Sequence, residues 1–236
     1  MRLQKTLTAI AVSAAIASIT ACGSSSSSTA SSDTDTTPGG TGELTLTNDN
    51  IYVLAGGFPG TYIGYGEAEG ITPETADDIT LNIEPGTLIL GNTGEALTIT
   101  RGATVNVNGT ATDPVVMGSR TWFNNWNNAN DYTGDGVGEN GSGEWAGFAL
   151  MGFAASNEGD EVEAEGNIGR YGGSDNADSS GSINYVVIRG AGNDIDGNGN
   201  ELNGYTLFGT GSGTTTSYVQ VHRGLDDGIE HFGSSD

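Results

Sequence analysis

One phrase is written twice near the end of this chain: Tyr185-Val186-Val187-Ile188-Arg189-Gly190, then Tyr218-Val219-Gln220-Val221-His222-Arg223-Gly224. Between the copies lies a third short run, Tyr205-Thr206-Leu207-Phe208, fenced by glycines. No single copy is long enough to bury its own apolar face. Repeated short strands separated by Gly, Asn, Asp and Ser therefore restrict a chain to stacked turns that cover one another. The pattern predicts an all-β chain coiled as a parallel β-helix. Strand side chains alternate, so Val186, Ile188, Val219 and Val221 are expected inside, with Val187 and Gln220 outside and Arg189 near His222 on the outer face.

Earlier segments fit the same reading. Leu44-Thr45-Leu46 and Ile51-Tyr52-Val53-Leu54 are short strand-like runs, and Ile79-Thr80-Leu81-Asn82-Ile83 alternates cleanly. Thr87-Leu88-Ile89-Leu90 is echoed by Thr104-Val105-Asn106-Val107, which predicts Leu88, Leu90, Val105 and Val107 as equivalent inward positions. From Ser119 to Glu144 the pattern stops, and a polar loop is expected to carry Trp122, Phe123 and Trp126. Strand character returns at Trp145 to Gly152, and an acidic, glycine-rich excursion from Asn157 to Gly181 precedes the repeated phrase. Only 35% of the residues are apolar, and that suffices for a solenoid, in which each turn buries only its inward side chains.

The formal net charge is −23. Every basic residue beyond position 22 is an arginine: Arg101, Arg120, Arg170, Arg189 and Arg223. Such a field repels phosphate backbones and anionic lipid surfaces, so nucleic acid is excluded as a partner and cations are favoured. Simple solubility in a salty medium, where screening confines each charge to about 10 Å or less, accounts for the same composition.

Residues 1–21 have the three parts of an export signal: Arg2 and Lys5, an apolar run from Leu7 to Ile19, then small residues. The signal ends Ile19-Thr20-Ala21-Cys22, which resembles the lipobox of bacterial lipoproteins, and Cys22 is the sole cysteine. The resemblance implies lipidation of Cys22, with Gly23 and Ser24 after it implying passage to the outer membrane. Membrane attachment would then come through acyl chains, each buried methylene contributing about 0.8 kcal/mol. Residues 22–42 read as the lipidated cysteine and a flexible Ser/Thr/Gly tether, and residues 43–236 as the β-helix domain.

The C-terminal part resembles a family of bacterial surface lipoproteins with a right-handed parallel β-helix. Its matching phrases are Trp145 with Gly147, Tyr171-Gly172-Gly173, Ser180-Gly181, Ala191-Gly192, Glu201 with Asn203-Gly204, Gly211 with Gly213-Thr214, Tyr218-Val219-Gln220-Val221, and Asp226-Asp227-Gly228-Ile229-Glu230 with Phe232-Gly233. The resemblance implies the architecture and a surface location, and transfers no catalytic residue. Such chains usually continue with further coils, so more are expected beyond Asp236.

Three sets of side chains are candidates for function. Asp226, Asp227, Glu230 and His222, with Arg189 and His231 near them, could supply the acid, base and cation of a polysaccharide lyase or hydrolase. Outward polar residues on a solenoid are more often simply solvated or paired across turns. Trp122, Phe123 and Trp126 could stack on sugar rings, or could instead cover the side of the coil. Asp194, Asp196, Asn198 and Glu201 match the opening half of an oxygen-rich calcium loop, although Asn, Asp and Gly are also what a tight turn demands. A second Asp-Gly-rich loop at Asp131, Asp135 and Glu139 adds to the calcium reading. No Gly-x-Ser-x-Gly nucleophile motif is present, and Gly209-Thr210-Gly211-Ser212-Gly213 brings neither the helix nor the lysine of a phosphate loop. The leading expectation is a non-enzymatic, lipid-anchored surface module that binds glycans or partner proteins.

Overall fold

The computed structural model describes residues 19–21, 41–56, 60–65, 68–129, 141–195, 197 and 199–234. After a short strand β1 (Ile19–Ala21), the chain winds through five turns. The first turn carries β2 (Thr41–Leu46), β3 (Ile51–Leu54) and β4 (Gly60–Ile63), and the second β5 (Asp78–Ile83), β6 (Leu88–Gly91) and β7 (Ala96–Ile99). The third carries β8 (Thr104–Asn108), β9 (Val115–Ser119), a helix α1 (Arg120–Ala129) and β10 (Gly147–Met151). An excursion with β11 (Val162–Glu163), a 3-10 turn at Glu165–Asn167 and β12 (Arg170–Tyr171) then intervenes. The fourth turn follows in β13 (Gly181–Arg189) and β14 (Tyr205–Thr210), and the fifth in β15 (Thr215–His222) and β16 (Ile229–Ser234).

Successive turns pair in parallel and build three sheets. The first sheet stacks β2, β5, β8 and the leading halves of β13 and β15. The second stacks β3, β6, β9 and the trailing halves of the same two strands. The third stacks β4, β7, β10, β14 and β16. This is a parallel β-helix. β1 lies antiparallel along β3, from Ile19 against Leu54 to Ala21 against Tyr52, so part of the expected export signal meets the first turn.

The bend that divides β13 and β15 falls at Tyr185 (φ 48) and Tyr218 (φ 56). A left-handed conformation is unusual for a bulky residue and costs roughly 1–3 kcal/mol. The two rings stack 4.1 Å apart and 6° from parallel, which offsets part of that cost.

The interior is a set of columns in which one apolar residue lies over another. Leu81, Val105 and Ile183 face inward from the first sheet, and Val115, Met117, Val186 and Ile188 from the second. Phe148 and Tyr205 stack at 5.5 Å from the third. Val186 pairs with Val219 and Ile188 with Val221, as the repeated phrase predicts, and Val219 and Val221 pack against the core from the last turn.

The echo between Leu88-Ile89-Leu90 and Val105-Asn106-Val107 was misleading. Thr104 lies beside Thr80 in the first sheet, whereas Leu88 lies beside Val116 and Ile51 in the second. Val105 and Val107 do point inward, but so does Ile89, and Leu88 and Leu90 point out. Three consecutive apolar residues carry no alternation to fix their direction.

α1, which takes up Arg120–Ala129 of the stretch expected as a polar loop, covers these outward leucines, with Leu90 buried and Leu88 half-buried. Ser119 caps the helix by accepting the Trp122 N–H at 2.7 Å and donating to Glu144. Trp122 and Phe123 then pack over Ile51 and Leu90, beside Val53, Leu88 and Val116. The excursion and the loop before β14 cover the third sheet in the same way, with Ala164, Ile168, Tyr171, Ile195 and Leu202 over Ala96, Ala149, Met151 and Phe208. Both long insertions rejoin the coil at glycines whose φ is positive, Gly147 (φ 138) and Gly181 (φ 110). A Cβ at these positions would collide with the carbonyl oxygens of Asn203 and Val105.

The register makes a stability prediction. Ile188→Ala should cost about 3 kcal/mol and Gln220→Ala under about 0.5 kcal/mol in urea denaturation, because only the first opens a cavity. Equal losses would place the register wrongly.

Candidate functional site

Among the described residues, two of the three outer faces are covered and the face of the first sheet stays open. Thr45, Thr80, Asn82, Thr104, Asn106, Asn108, Ser182, Asn184, Thr215 and Ser217 alternate with the inward residues and point out. They bond along the stack: Asn82 donates to Glu43, Asn106 to Asn82 at 2.9 Å, and Ser182 to Asn106 at 3.1 Å. Thr80 and Thr104 share a hydrogen bond at 3.0 Å. Charged side chains occur on this face at its first two turns, Glu43 on β2 and Asp78 on β5, whereas β8 and the leading halves of β13 and β15 carry none, although the chain as a whole is strongly acidic. Their amides and hydroxyls are held in rows one strand spacing apart, about 4.8 Å.

The sequence candidates for acid–base chemistry divide between two sheets. His222 ends β15 on the outer side of the second sheet, paired in register with Arg189 as expected. Arg189 lies over the Trp122 ring, 5.0 Å from its centroid. Glu230 is on β16 in the third sheet, beside Thr206 of β14, and Asp226 and Asp227 lie in the turn that joins the two sheets.

Glu230 belongs to an acidic cluster that sequence reasoning saw only in part. Asn203, fully buried, donates through Nδ2 to Glu230. Glu165, on the 3-10 turn of the excursion, lies within electrostatic reach of Glu230, Asp226 and Glu201. Burial, and then these three carboxylates, push the Glu165 carboxyl up to about 7. The excursion is tied down by Arg101, itself buried, which bonds Glu161 at 3.0 Å and the Ala68 carbonyl at 2.7 Å and lies over the Phe153 ring. Glu165 was missed because no local motif marks it: only the fold carries the excursion to β16.

The remaining candidates are placed as follows. Trp122 and Phe123 are each 7% exposed, so their area covers the coil, the second of the two roles considered for them. The Trp126 side chain lies outside the described residues, as do Cys22, Asp131, Asp135, Glu139, Asp196 and Asn198. The Asp194 carboxylate accepts the N–H groups of Gly197 at 2.7 Å and Gly199 at 3.1 Å, and the backbones of Asp194 and Glu201 pair antiparallel across the loop. These are the bonds of a tight turn. Among the described residues, no three Asp, Glu, His or Cys side chains converge closely enough to hold a metal on their own, and no helix is long and apolar enough to cross a membrane.

Comparison with known families identifies residues 71–235 as a pectate-lyase-like β-helix domain, and the chain belongs to that family. No curated protein matches the chain, and no solved structure does.

The raised Glu165 carboxyl gives stability a pH dependence. Below pH 4.5 the group is protonated in both the folded and unfolded states. Between about 4.5 and 7 the unfolded chain releases the proton first, so stability present at low pH is lost as pH rises through that window. Glu165→Gln should flatten the fall in Tm between pH 5 and 7.5 measured in chelator, and an unchanged slope would refute the assignment.

Proposed function

We propose that this chain is the β-helical domain of a lipid-anchored protein of the cell surface, attached to the outer membrane through Cys22. It binds neutral glycans on the open face of the first sheet without turning them over. The observation that carries this reading is the contrast between faces: apolar insertions cover two, and an ordered array of Asn, Thr and Ser, uncharged from β8 onward, occupies the third. Amides and hydroxyls fixed in rows suit a polyhydroxylated chain, since their own positions need not be ordered on binding. The absence of lysine from the expected mature chain and the acidic field around the face argue against anionic polymers and nucleic acid. The lipobox-like Ile19-Thr20-Ala21-Cys22 supports the anchor.

A specific observation also favours catalysis. Glu165, with a carboxyl near neutrality and Glu230 close by, has the character of an acid paired with a carboxylate, as a polysaccharide hydrolase or lyase requires.

Binding separates these readings. On an array of polysaccharides the mature protein should bind neutral glycans saturably and release neither reducing ends nor unsaturated products. Asn106→Ala combined with Asn184→Ala should weaken binding about tenfold or more, the effect of losing two hydrogen bonds. Turnover that vanishes in Glu165→Gln would establish the enzyme instead. For the anchor, mass spectrometry of the membrane fraction should find an acylated Cys22 as the first residue. An unmodified thiol, or a different N-terminus, would exclude it.

A further inference from the structure

Among the described residues, the buried side-chain oxygens without a hydrogen-bond partner are Thr98 Oγ1, Glu165 Oε2, Asn203 Oδ1 and Thr206 Oγ1. All lie on the covered outer side of the third sheet or in the segments over it. Two of them adjoin the Glu230 carboxylate, and a third belongs to a carboxyl that feels its charge. Thr206 is the register partner of Glu230, Asn203 donates to Glu230, and Glu165 on the excursion lies within electrostatic reach of it. A buried polar oxygen left unpaired costs about 1–3 kcal/mol, so three in one acidic cluster call for a shared partner. The Asn203 amide cannot be turned over to help, because its oxygen would then face the Glu230 carboxylate.

We propose that a divalent cation, with calcium the best fit, binds here, ligated by Glu165, Glu230, Asn203 Oδ1 and Thr206 Oγ1. All four ligands are hard oxygens. Calcium accepts carboxylate together with neutral oxygen donors and completes six to eight positions with water, whereas magnesium demands a stricter octahedron. Two carboxylates supported by an amide and a hydroxyl agree with the absence of any three-residue Asp, Glu, His or Cys centre among the described residues. Asp226 and Glu201, the other groups within electrostatic reach of Glu165, add negative potential without being required as ligands. The ion would join the excursion to the last turn, where Glu165 and Glu230 otherwise repel. The site is separate from the Asp194 turn, where both carboxylate oxygens already accept backbone N–H groups.

Calorimetric titration of the mature protein with calcium chloride, in physiological salt to screen diffuse binding, tests this. Melting curves in chelator and in millimolar calcium complete the test. The expected result is one saturable site and a higher Tm in calcium, both lost in Glu165→Gln and in Glu230→Gln and both retained in Asp194→Ala. Each variant's melt in chelator shows that it folds. Absence of heat with identical melts would overturn the proposal, as would calcium binding that survives Glu230→Gln. Loss confined to Asp194→Ala would assign the ion to the turn and overturn it equally.

Discussion

Everything in this molecule depends on the parallel register between successive turns. The backbone bonds between turns fix which residue lies over which, and the period of two then decides every side chain's direction. Because Val186 lies over Val219 and Val115 over Val186, one choice of register fills a whole column. The same register aligns Thr80 with Thr104 and Asn82 with Asn106 on the opposite side of the strands. Core and outer ladder are therefore two faces of one constraint, and a slip by one residue would exchange them.

That constraint explains how the insertions are tolerated. A long insertion between turns disturbs nothing if the strand that follows it recovers the register, and loop closure adds little free energy as length grows. Recovery requires a close approach of backbone to backbone, which Gly147 and Gly181 supply. Once outside the coil, each insertion becomes a cover for an apolar outer face: α1 over the second sheet, the excursion over the third. Arg101 holds the second cover from within, and its buried guanidinium is compensated by Glu161 and the Ala68 carbonyl.

Legibility followed the same division. Alternation exposed the strands and the inward set Val186, Ile188, Val105 and Val107, because those positions depend only on a period of two. It failed at Leu88-Ile89-Leu90, where a strand apolar on both sides signals a covered outer face and gives no direction. The helix had a readable sign that was passed over: Trp122, Phe123 and Trp126 stand at helical spacing, and Ser119 is placed to cap them. Glu165 had none. Its neighbours Glu201, Asp226 and Glu230 are distant in sequence and meet it only through the fold.

The distribution of charge links the two proposed functions. A chain at −23 with few arginines can place acidic groups almost anywhere on its surface, yet β8 and the leading halves of β13 and β15 on the open face carry none. Like charges stacked one strand spacing apart repel along the whole ladder, whereas amides and hydroxyls bond to one another, so a continuous parallel face selects neutral polar residues for stability alone. Solubility and stability thus explain why the ladder is uncharged from β8 onward, and its exposure is the property that supports glycan binding. The acidic cluster at Glu165 is the reverse case. There, carboxylates within electrostatic reach of one another stand among buried unpaired oxygens, an arrangement that self-repulsion disfavours. Stability alone supplies no reason to assemble it, and a bound cation or a proton held for chemistry supplies one.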